Sequence, residues 1–319
     1  MRCMLVPTGT TAYPCHMAIL TDSNGNKSGL RSRHLIGRSR AMHTRIDRPD
    51  VSAQHAVIAW MGGRWCIRDL GSRNGTRVNG DRLEAGQDRL LNAGDSIVCG
   101  TDSAAFTLTS DDAPGPFAIS DATLILGEDD ALGIPSLEAP ELLIQTDREG
   151  DWVVESDDGV SKAIADGSVV RVAGIEWKLV LPEPIAETVE QRAAALTVDD
   201  VALTFRVSRD EEFVEVDVQT PAGTSTLPAR AHHYTTLLLA RARIADAKAG
   251  LDPSEQGWVH AEELQKMLRQ SNARINLSLH RARRELEKLG ISNPHDLFER
   301  RSTSRQVRIG VATLSEATL

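Results

Sequence analysis

At 319 residues, with 41% apolar, 25% charged and 4% aromatic content, the chain is long enough for two or three domains with real cores and is not disordered throughout. Its net charge of −9 hides an asymmetry: 14 basic against 9 acidic residues over 1–109, 7 against 26 over 110–227, and 15 against 10 over 228–319. No apolar run of about 18 residues occurs, which excludes a spanning helix, and Pro7 with the nearby Thr and Gly residues breaks any secretory h-region; a cytoplasmic protein with no membrane partner is expected.

From His34 to about Thr109, short apolar runs (HLIG, HAVIAW, WCIRDL, SIVCG, AFTLTS) alternate with Gly, Asn and Asp turns, which reads as an all-β sandwich or barrel. Within it stand, in order, GRS (37–39), SAQH (52–55) and LGSRNGTRVNG (70–80). This ordered set resembles the signature of the forkhead-associated (FHA) domain, a β-sandwich that reads phosphothreonine in partner peptides, and the resemblance spans about residues 12–109. It implies that Arg38 and Ser52 contact the phosphate, that Asn74 bonds the peptide backbone, and that Arg73 faces the ligand nearby. Gly37, His55 and Gly75 are structural members of the motif, with His55 bracing loops by a buried hydrogen bond. The chemistry agrees: a phosphothreonine brings about −1.5 to −2 charges and three acceptor oxygens, so its reader needs a fixed cation and neutral donors rather than a catalyst. One departure is Ala53, where many members carry a polar residue; it puts affinity or selectivity in doubt. Asn79-Gly80 reads as a plain hairpin turn.

DAPGP (112–116) marks a boundary. The middle, 118–182, is acidic and again β-rich (ATLILG, ELLIQT, DWVVES, SVVRVAG, EWKLVL). LIGR then GGRWCIRD is echoed by LILGE then EGDWVVES, with Gly37 aligned to Gly127 and Arg38 to Glu128, and AGDSIVCG is echoed by ADGSVVRVAG. Two readings stand: a degenerate FHA-like duplicate, or the Gly and Trp rhythm that β-sandwiches share. Either way a carboxylate at 128 repels phosphate, so the segment is expected to be a spacer or a protein-interaction surface.

A Pro- and Glu-bearing linker covers 183–195. From 196 to 314 the order is an antiparallel hairpin (VALTFRVS, EFVEVDVQT), three helices and a basic turn leading into a strand (RRSTSRQVRIGV), an α+β order. It resembles the winged helix-turn-helix effector domain of response-regulator-type transcription factors in architecture, not in a diagnostic motif. Ile275, Leu279, Ala282, Leu286 and Leu289 form a core stripe on the third helix. Arg274, Asn276, His280, Arg281 and Arg284 are candidate base or phosphate contacts, and Arg300, Arg301 and Arg305 candidate wing contacts. The competing reading is a solvated helix face on a protein-interaction module. Trp258 is expected to anchor the core.

Cys3, Cys15, Cys66 and Cys99 show no CxxC spacing, and Cys3, Cys15 and His16 lack a fourth zinc ligand, so no metal is expected. Neither a Walker loop nor a kinase signature is present, and His232-His233 has no evident nucleophile; no cofactor and no enzyme activity are expected. The sequence therefore points to a bacterial-type signalling protein that docks a phosphothreonine-bearing partner, a Ser/Thr kinase or its substrate, and passes this to double-stranded DNA for transcription regulation. An adaptor or scaffold without DNA binding is the alternative. Thr8, Thr10 and Thr11, ahead of the reader, are candidate marks for self-recognition.

Overall fold

Alternating apolar residues broken by turn formers produce eleven short strands in the first region. They are β1 (Ile19–Asp22), β2 (Lys27–Gly29), β3 (Arg33–Gly37), β4 (Thr44–Arg45), β5 (Ala56–Met61), β6 (Arg64–Asp69), β7 (Thr76–Val78), β8 (Asp81–Arg82), β9 (Asp88–Leu91), β10 (Ser96–Cys99) and β11 (Ala105–Ser110). The computed structural model describes residues 17–101, 105–121, 123–155, 161–183 and 196–319; Cys3, Cys15, His16, the candidate marks Thr8, Thr10 and Thr11, and linker residues 184–195 lie outside these. The strands form two sheets, ordered β2-β1-β11-β10-β7-β8 and β4-β3-β5-β6-β9. Leu20, Val78, Ile97 and Leu108 from one sheet meet Ile36, Ile58, Trp65 and Ile67 from the other in a single core. The sandwich is as expected. Asn79 (φ +54) and Gly80 (φ +89) close the β7–β8 hairpin, both in the left-handed region that a two-residue I′ turn requires. Cys66 and Cys99 are free and buried, and burial pushes the Cys99 thiol up to about 12, an inert state.

The middle region holds β12 (Phe117–Ile119), β13 (Leu124–Leu126), β14 (Ala131–Ile134), β15 (Leu142–Thr146), β16 (Trp152–Glu155), β17 (Ser161–Ala163), β18 (Val169–Val172) and β19 (Ile175–Val180). They form two four-stranded sheets, β13-β12-β19-β18 and β14-β15-β16-β17. The chain divides into two compact units, 1–132 with 166–183 and 133–165 with 184–319. The first of these sheets belongs to the former, and β15 to β17 to the latter. The backbone hydrogen bonds of the two regions can be set side by side. Gly127 N donates to Pro116 O as Leu30 N donates to Ala18 O, whereas the bond from His55 N to Ile36 O is matched by Glu141 N to Ile134 O. In this pattern of bonds Gly127 sits where Leu30 does, and Ser136 lies two residues beyond Ile134 as Arg38 lies two beyond Ile36. The Gly-Glu string at 127–128 follows β13, whereas Gly37 ends β3.

The last region holds β20 (Ala202–Val207), β21 (Val214–Thr220), β22 (Gly223–Leu227), α1 (Ala231–Lys248), β23 (Val259–His260), α2 (Ala261–Leu268), α3 (Asn272–Lys288), β24 (Phe298–Arg301), β25 (Gln306–Ile309) and β26 (Thr313–Thr318). Its sheets are β22-β21-β20-β26 and β23-β25-β24. Phe205, Val216 and Val218 of the larger sheet pack with Leu237 and Leu239 of α1 and with Ile275, Leu279, Ala282 and Leu286 of α3, so the apolar stripe of α3 is the one expected. Ser271 caps α3 by accepting from Arg274 N. Trp258 departs from expectation: it is half-buried and is no core anchor. Its ring carries the guanidinium groups of Arg301 and Arg308, 4.1 and 4.6 Å from the centroid, and its indole N–H donates to Ser254 O at 2.9 Å, so its amphipathic ring serves as a stacking platform. Among the described residues no helix is long and apolar enough to cross a membrane.

Candidate functional site

Strand pairing brings three connections to one end of the first sandwich. Ile36 pairs with Ala56 and Ala56 with Asp69, so the end of β3, the start of β5 and the end of β6 coincide. Arg38 follows β3, Ser52 and His55 precede β5, and Arg73, Asn74 and Gly75 follow β6. The backbone at 50–53 ties them together. Arg38 N donates to Ser52 O at 2.9 Å and Ser39 N to Ala53 O at 3.1 Å, while Arg38 Nε donates to Val51 O at 3.2 Å. From the third connection, Arg73 N donates to Ser52 Oγ at 3.0 Å and Asn74 Nδ2 to Asp50 O at 2.7 Å. All four candidate ligand residues therefore meet.

The structural members of the motif act as expected. A Cβ on Gly37 would lie 2.5 Å from Ala53 O, so only glycine lets the two backbones approach. His55 is fully buried; its Nδ1 accepts from Ser52 N at 3.1 Å, which makes Nε2 the protonated nitrogen that donates to Gly75 O at 3.1 Å. Gly75 has φ +82, but Asn74 does not share the left-handed region. The first Asn-Gly is thus not a I′ hairpin turn like the second, and Asn74 is exposed.

The electrostatics favour an anion. Arg38 and Arg73 are exposed, and among the described residues neither is paired with a carboxylate. Ser52 Oγ uses a lone pair on Arg73 N, which leaves its proton for a ligand. The nearby carboxylates are otherwise engaged. Asp50 takes the Thr101 hydroxyl at 2.5 Å and Arg48 Nε at 3.0 Å, and the Thr101 bond, against some burial and with help from Arg48, holds its carboxyl at about 2.

Sequence reasoning missed Asp69. Only 2% exposed, it accepts from the Gly71 and Ser72 N–H groups and from the Ser72 and Thr76 hydroxyls at 2.6–2.9 Å. Burial works to raise its carboxyl, but these donors outweigh it and hold it below the usual carboxylate range. It is the floor on which the 70–76 loop stands. The signal was Asp followed by Ser at +3 and Thr at +7 at the end of a buried strand.

The candidate nucleic-acid residues are placed less uniformly. Asn276 (2% exposed) and His280 (4%) are buried, which corrects the outward orientation expected of them: residues of 133–165 cover this part of α3. Arg274 NH1 donates to Glu138 O. Arg300 pairs with Glu155 and also donates to Asn276 Oδ1 at 2.9 Å. Arg284 pairs with Glu287 three residues on, as the solvated-face reading expects, and half-buried Arg281 lies on the same helix. Arg301 is held by Glu255 and Trp258. Arg305, at φ +52, is exposed in the β24–β25 turn. The His pair also finds a partner: His232 Nε2 and His233 Nε2 lie 2.9 and 2.7 Å from Glu285 Oε2, hydrogen-bond distances that tie α1 to α3.

The family model for the FHA domain matches residues 34–100. An FHA domain solved in an analysis of phosphothreonine-dependent FHA interactions is 30% identical, over 28% of this chain and 93% of that one, with a TM-score of 0.26. EmbR of Mycobacterium tuberculosis, solved with a low-affinity phosphopeptide, is 32% identical over 30% of this chain but only 25% of its own length, with a TM-score of 0.28. The N-terminal FHA domain of Rad53p from S. cerevisiae, solved with a phosphothreonine peptide, is 23% identical over 29% of this chain and 90% of that one, with a TM-score of 0.26. No curated protein matches the chain. The family-model match identifies residues 34–100 of this chain as an FHA domain.

Proposed function

We propose that this chain docks a phosphothreonine-bearing protein, a Ser/Thr kinase or its substrate, at the loops that hold Arg38, Ser52, Arg73 and Asn74, and that it acts in the cytoplasm by binding rather than catalysis. Arg38 and the Ser52 hydroxyl take the phosphate, Asn74 takes the peptide backbone, and Arg73 adds charge beside it. The observation that carries this is the assembly of all four residues on the 50–53 backbone, with neither arginine paired with a carboxylate among the described residues. The test is calorimetric titration of the full chain with a phosphothreonine peptide library pool and its unphosphorylated counterpart. One binding site per chain is expected, with Arg38→Ala weakening it by roughly ten- to a hundred-fold. Equal affinity for the unphosphorylated pool, or an unaffected variant, would overturn the reading.

We read the middle region as a degenerate FHA-like copy. Its sheets β13-β12-β19-β18 and β14-β15-β16-β17 follow the order of β2-β1-β11-β10 and β3-β5-β6-β9. The exchange Gly94 N to Leu108 O and Leu108 N to Asp95 O has its counterpart in Gly167 N to Leu179 O and Leu179 N to Ser168 O. Register also superposes Trp152 on Trp65. With Ser136 at the Arg38 position and Glu141 at the His55 position, this copy lacks the phosphate-reading set and serves as scaffold or contact surface.

The C-terminal region is read as a winged-helix effector that takes duplex DNA, so that phospho-docking bears on transcription in a bacterial-type signalling protein. The order α1, β23, α2, α3 and the β24–β25 hairpin supports this, with Arg305 exposed in the hairpin turn as a wing contact. The burial of Asn276 and His280 favours the second reading, an adaptor whose α3 binds protein instead.

A further inference from the structure

The cover over α3 is specific. β16 ends at Glu155, whose side chain is 7% exposed although it carries a charge that solvent would stabilise. Glu155 Oε1 accepts from Arg300 NH1 at 2.5 Å, Arg300 NH2 donates to Asn276 Oδ1 at 2.9 Å, and Asn276 Nδ2 donates to Glu155 Oε2 at 2.9 Å. The three groups close a ring in which both carboxylate oxygens are used. At the start of α3, Arg274 donates to Glu138 O and Ser271 to Pro140 O. Beyond its end, Arg148 pairs with Asp296. Each of these contacts joins the 133–165 segment to the α3 and β24–β25 region within one compact unit.

The chemistry at the centre of this contact is that of a nucleic-acid interface. Arginine and asparagine are the side chains that grip phosphate oxygens and purine edges in pairs, and here one carboxylate presents two acceptor oxygens to an arginine of the hairpin and an asparagine of the helix at once. We propose that the β14–β17 sheet is an intramolecular mask, with Glu155 standing in for a nucleic-acid acceptor on Asn276 and Arg300, so that the winged-helix face is closed to duplex DNA until this sheet is displaced. The proposal rests on the DNA-binding reading of the C-terminal region and gives that reading its control point. It also explains why Asn276 is buried on a helix whose apolar stripe lies elsewhere: its partner comes from 121 residues away.

The test uses the full chain as wild type, Glu155→Ala, the more conservative Glu155→Gln, and Glu149→Ala, which removes the same charge from an exposed turn. Binding to a fluorescent generic duplex is followed by anisotropy at low and high salt. Accessibility of Arg274 and Arg300 is read in parallel by phenylglyoxal labelling and mass spectrometry, with thermal unfolding to check the fold. The expected result is that Glu155→Ala raises the labelling of Arg300, whose side chain is 37% exposed with Glu155 in place, and binds duplex at least about tenfold more tightly than wild type, with affinity that falls steeply with salt. Glu155→Gln falls between, and Glu149→Ala stays within about twofold of wild type. If labelling of Arg300 rises yet no variant binds duplex, the DNA reading has failed and the proposal falls with it. Should Arg300 be labelled as readily in wild type as in Glu155→Ala, or should wild type already bind as tightly, the mask itself is refuted. Should Glu155→Ala unfold, the same comparison on Glu155→Gln decides.

Discussion

Asp69 shows how the loops proposed to read phosphate are held from beneath by a buried carboxylate. Its carboxylate gathers four donors from the 71–76 turn. Asp69→Asn keeps the volume but replaces one acceptor oxygen with an NH2 group that faces hydroxyl and amide donors. The expected cost is roughly 2–3 kcal/mol of domain stability, from lost charged hydrogen bonds and an unpaired buried group. Phosphopeptide affinity should fall as well, although Arg38 and Ser52 are untouched, because Arg73 and Asn74 ride on this turn. The pH behaviour follows from the depressed folded-state value. The contribution of Asp69 is complete above the ordinary aspartate range near about 3.9 and is lost as pH falls through the lower folded value. Urea unfolding at pH 5 and at pH 2.5 should show wild type losing its advantage over Asp69→Asn at the lower pH; a constant gap would refute this account.

At the scale of elements, the β24–β25 hairpin is positioned by an aromatic ring as well as by the core packing of Phe298, Val307 and Ile309. Trp258 lies beneath Arg301 and Arg308, Arg308 also pairs with Glu299, and Arg301 with Glu255. Removing the ring in Trp258→Ala forfeits two cation–π contacts of about 0.5–1 kcal/mol each together with part of the ring's burial, so a loss of roughly 2–3 kcal/mol is expected. Trp258→Phe keeps a weaker stacking face, loses the bond to Ser254 O, and should recover part of it. Proteolysis of the 302–305 turn should accelerate in the alanine variant and much less in the phenylalanine one. This hairpin also shows what was legible in the sequence. The helical spacing of Ile275, Leu279, Ala282 and Leu286 disclosed α3 and its inner face because burial there is local and periodic. The GRS, SAQH and Asn-Gly strings marked the three connections that the strands bring to one end of the sandwich, because each residue type answers a local backbone demand. β22 and β26 escaped: their residues are mostly exposed and lack apolar alternation, and β26 exists as a strand through parallel pairing with β20, more than 100 residues earlier. The burial of Asn276 escaped for the same reason, since its partner Glu155 is remote in sequence. Trp258 misled because a tryptophan beside a helix start is usually core, and only the tertiary fold brings two arginines over its ring.

For the whole molecule, the same logic of distant partners makes the C-terminal region sensitive to acid at a higher pH than the FHA loops. His232 on α1 is buried, and burial first, with His233 and Arg281 adding to it against the pull of Glu285, holds its imidazole below the ordinary histidine value. Glu285 on α3 is pushed up by burial but drawn down further by its bonds to His232 and His233, to about 2. His233 Nδ1 in turn lies 3.0 Å from Val214 O of β21, so the cluster joins two helices and the larger sheet. Both cited shifts run in one direction. A histidine whose folded value is lowered binds protons more readily when unfolded, so stability declines as pH falls below about 6.5 toward the folded value. A glutamate whose folded value is lowered keeps its contribution above about 4.3 and loses it as pH falls toward the folded value. The C-terminal region should therefore lose stability in two stages, beginning below about pH 6.5, whereas the Asp69 contribution to the FHA loops begins to fall only below about pH 3.9. Glu285→Gln keeps one acceptor oxygen but removes the charge that both imidazoles share. It should cost roughly 2–3 kcal/mol at pH 7 and flatten the second stage. Thermal unfolding of the full chain from pH 8 to pH 3, with hydrogen exchange in α1 and α3 to assign each transition, measures both stages. A C-terminal transition whose midpoint is unchanged between pH 7 and 5 would remove His232 from this account, and an unaltered acid limb in Glu285→Gln would remove Glu285.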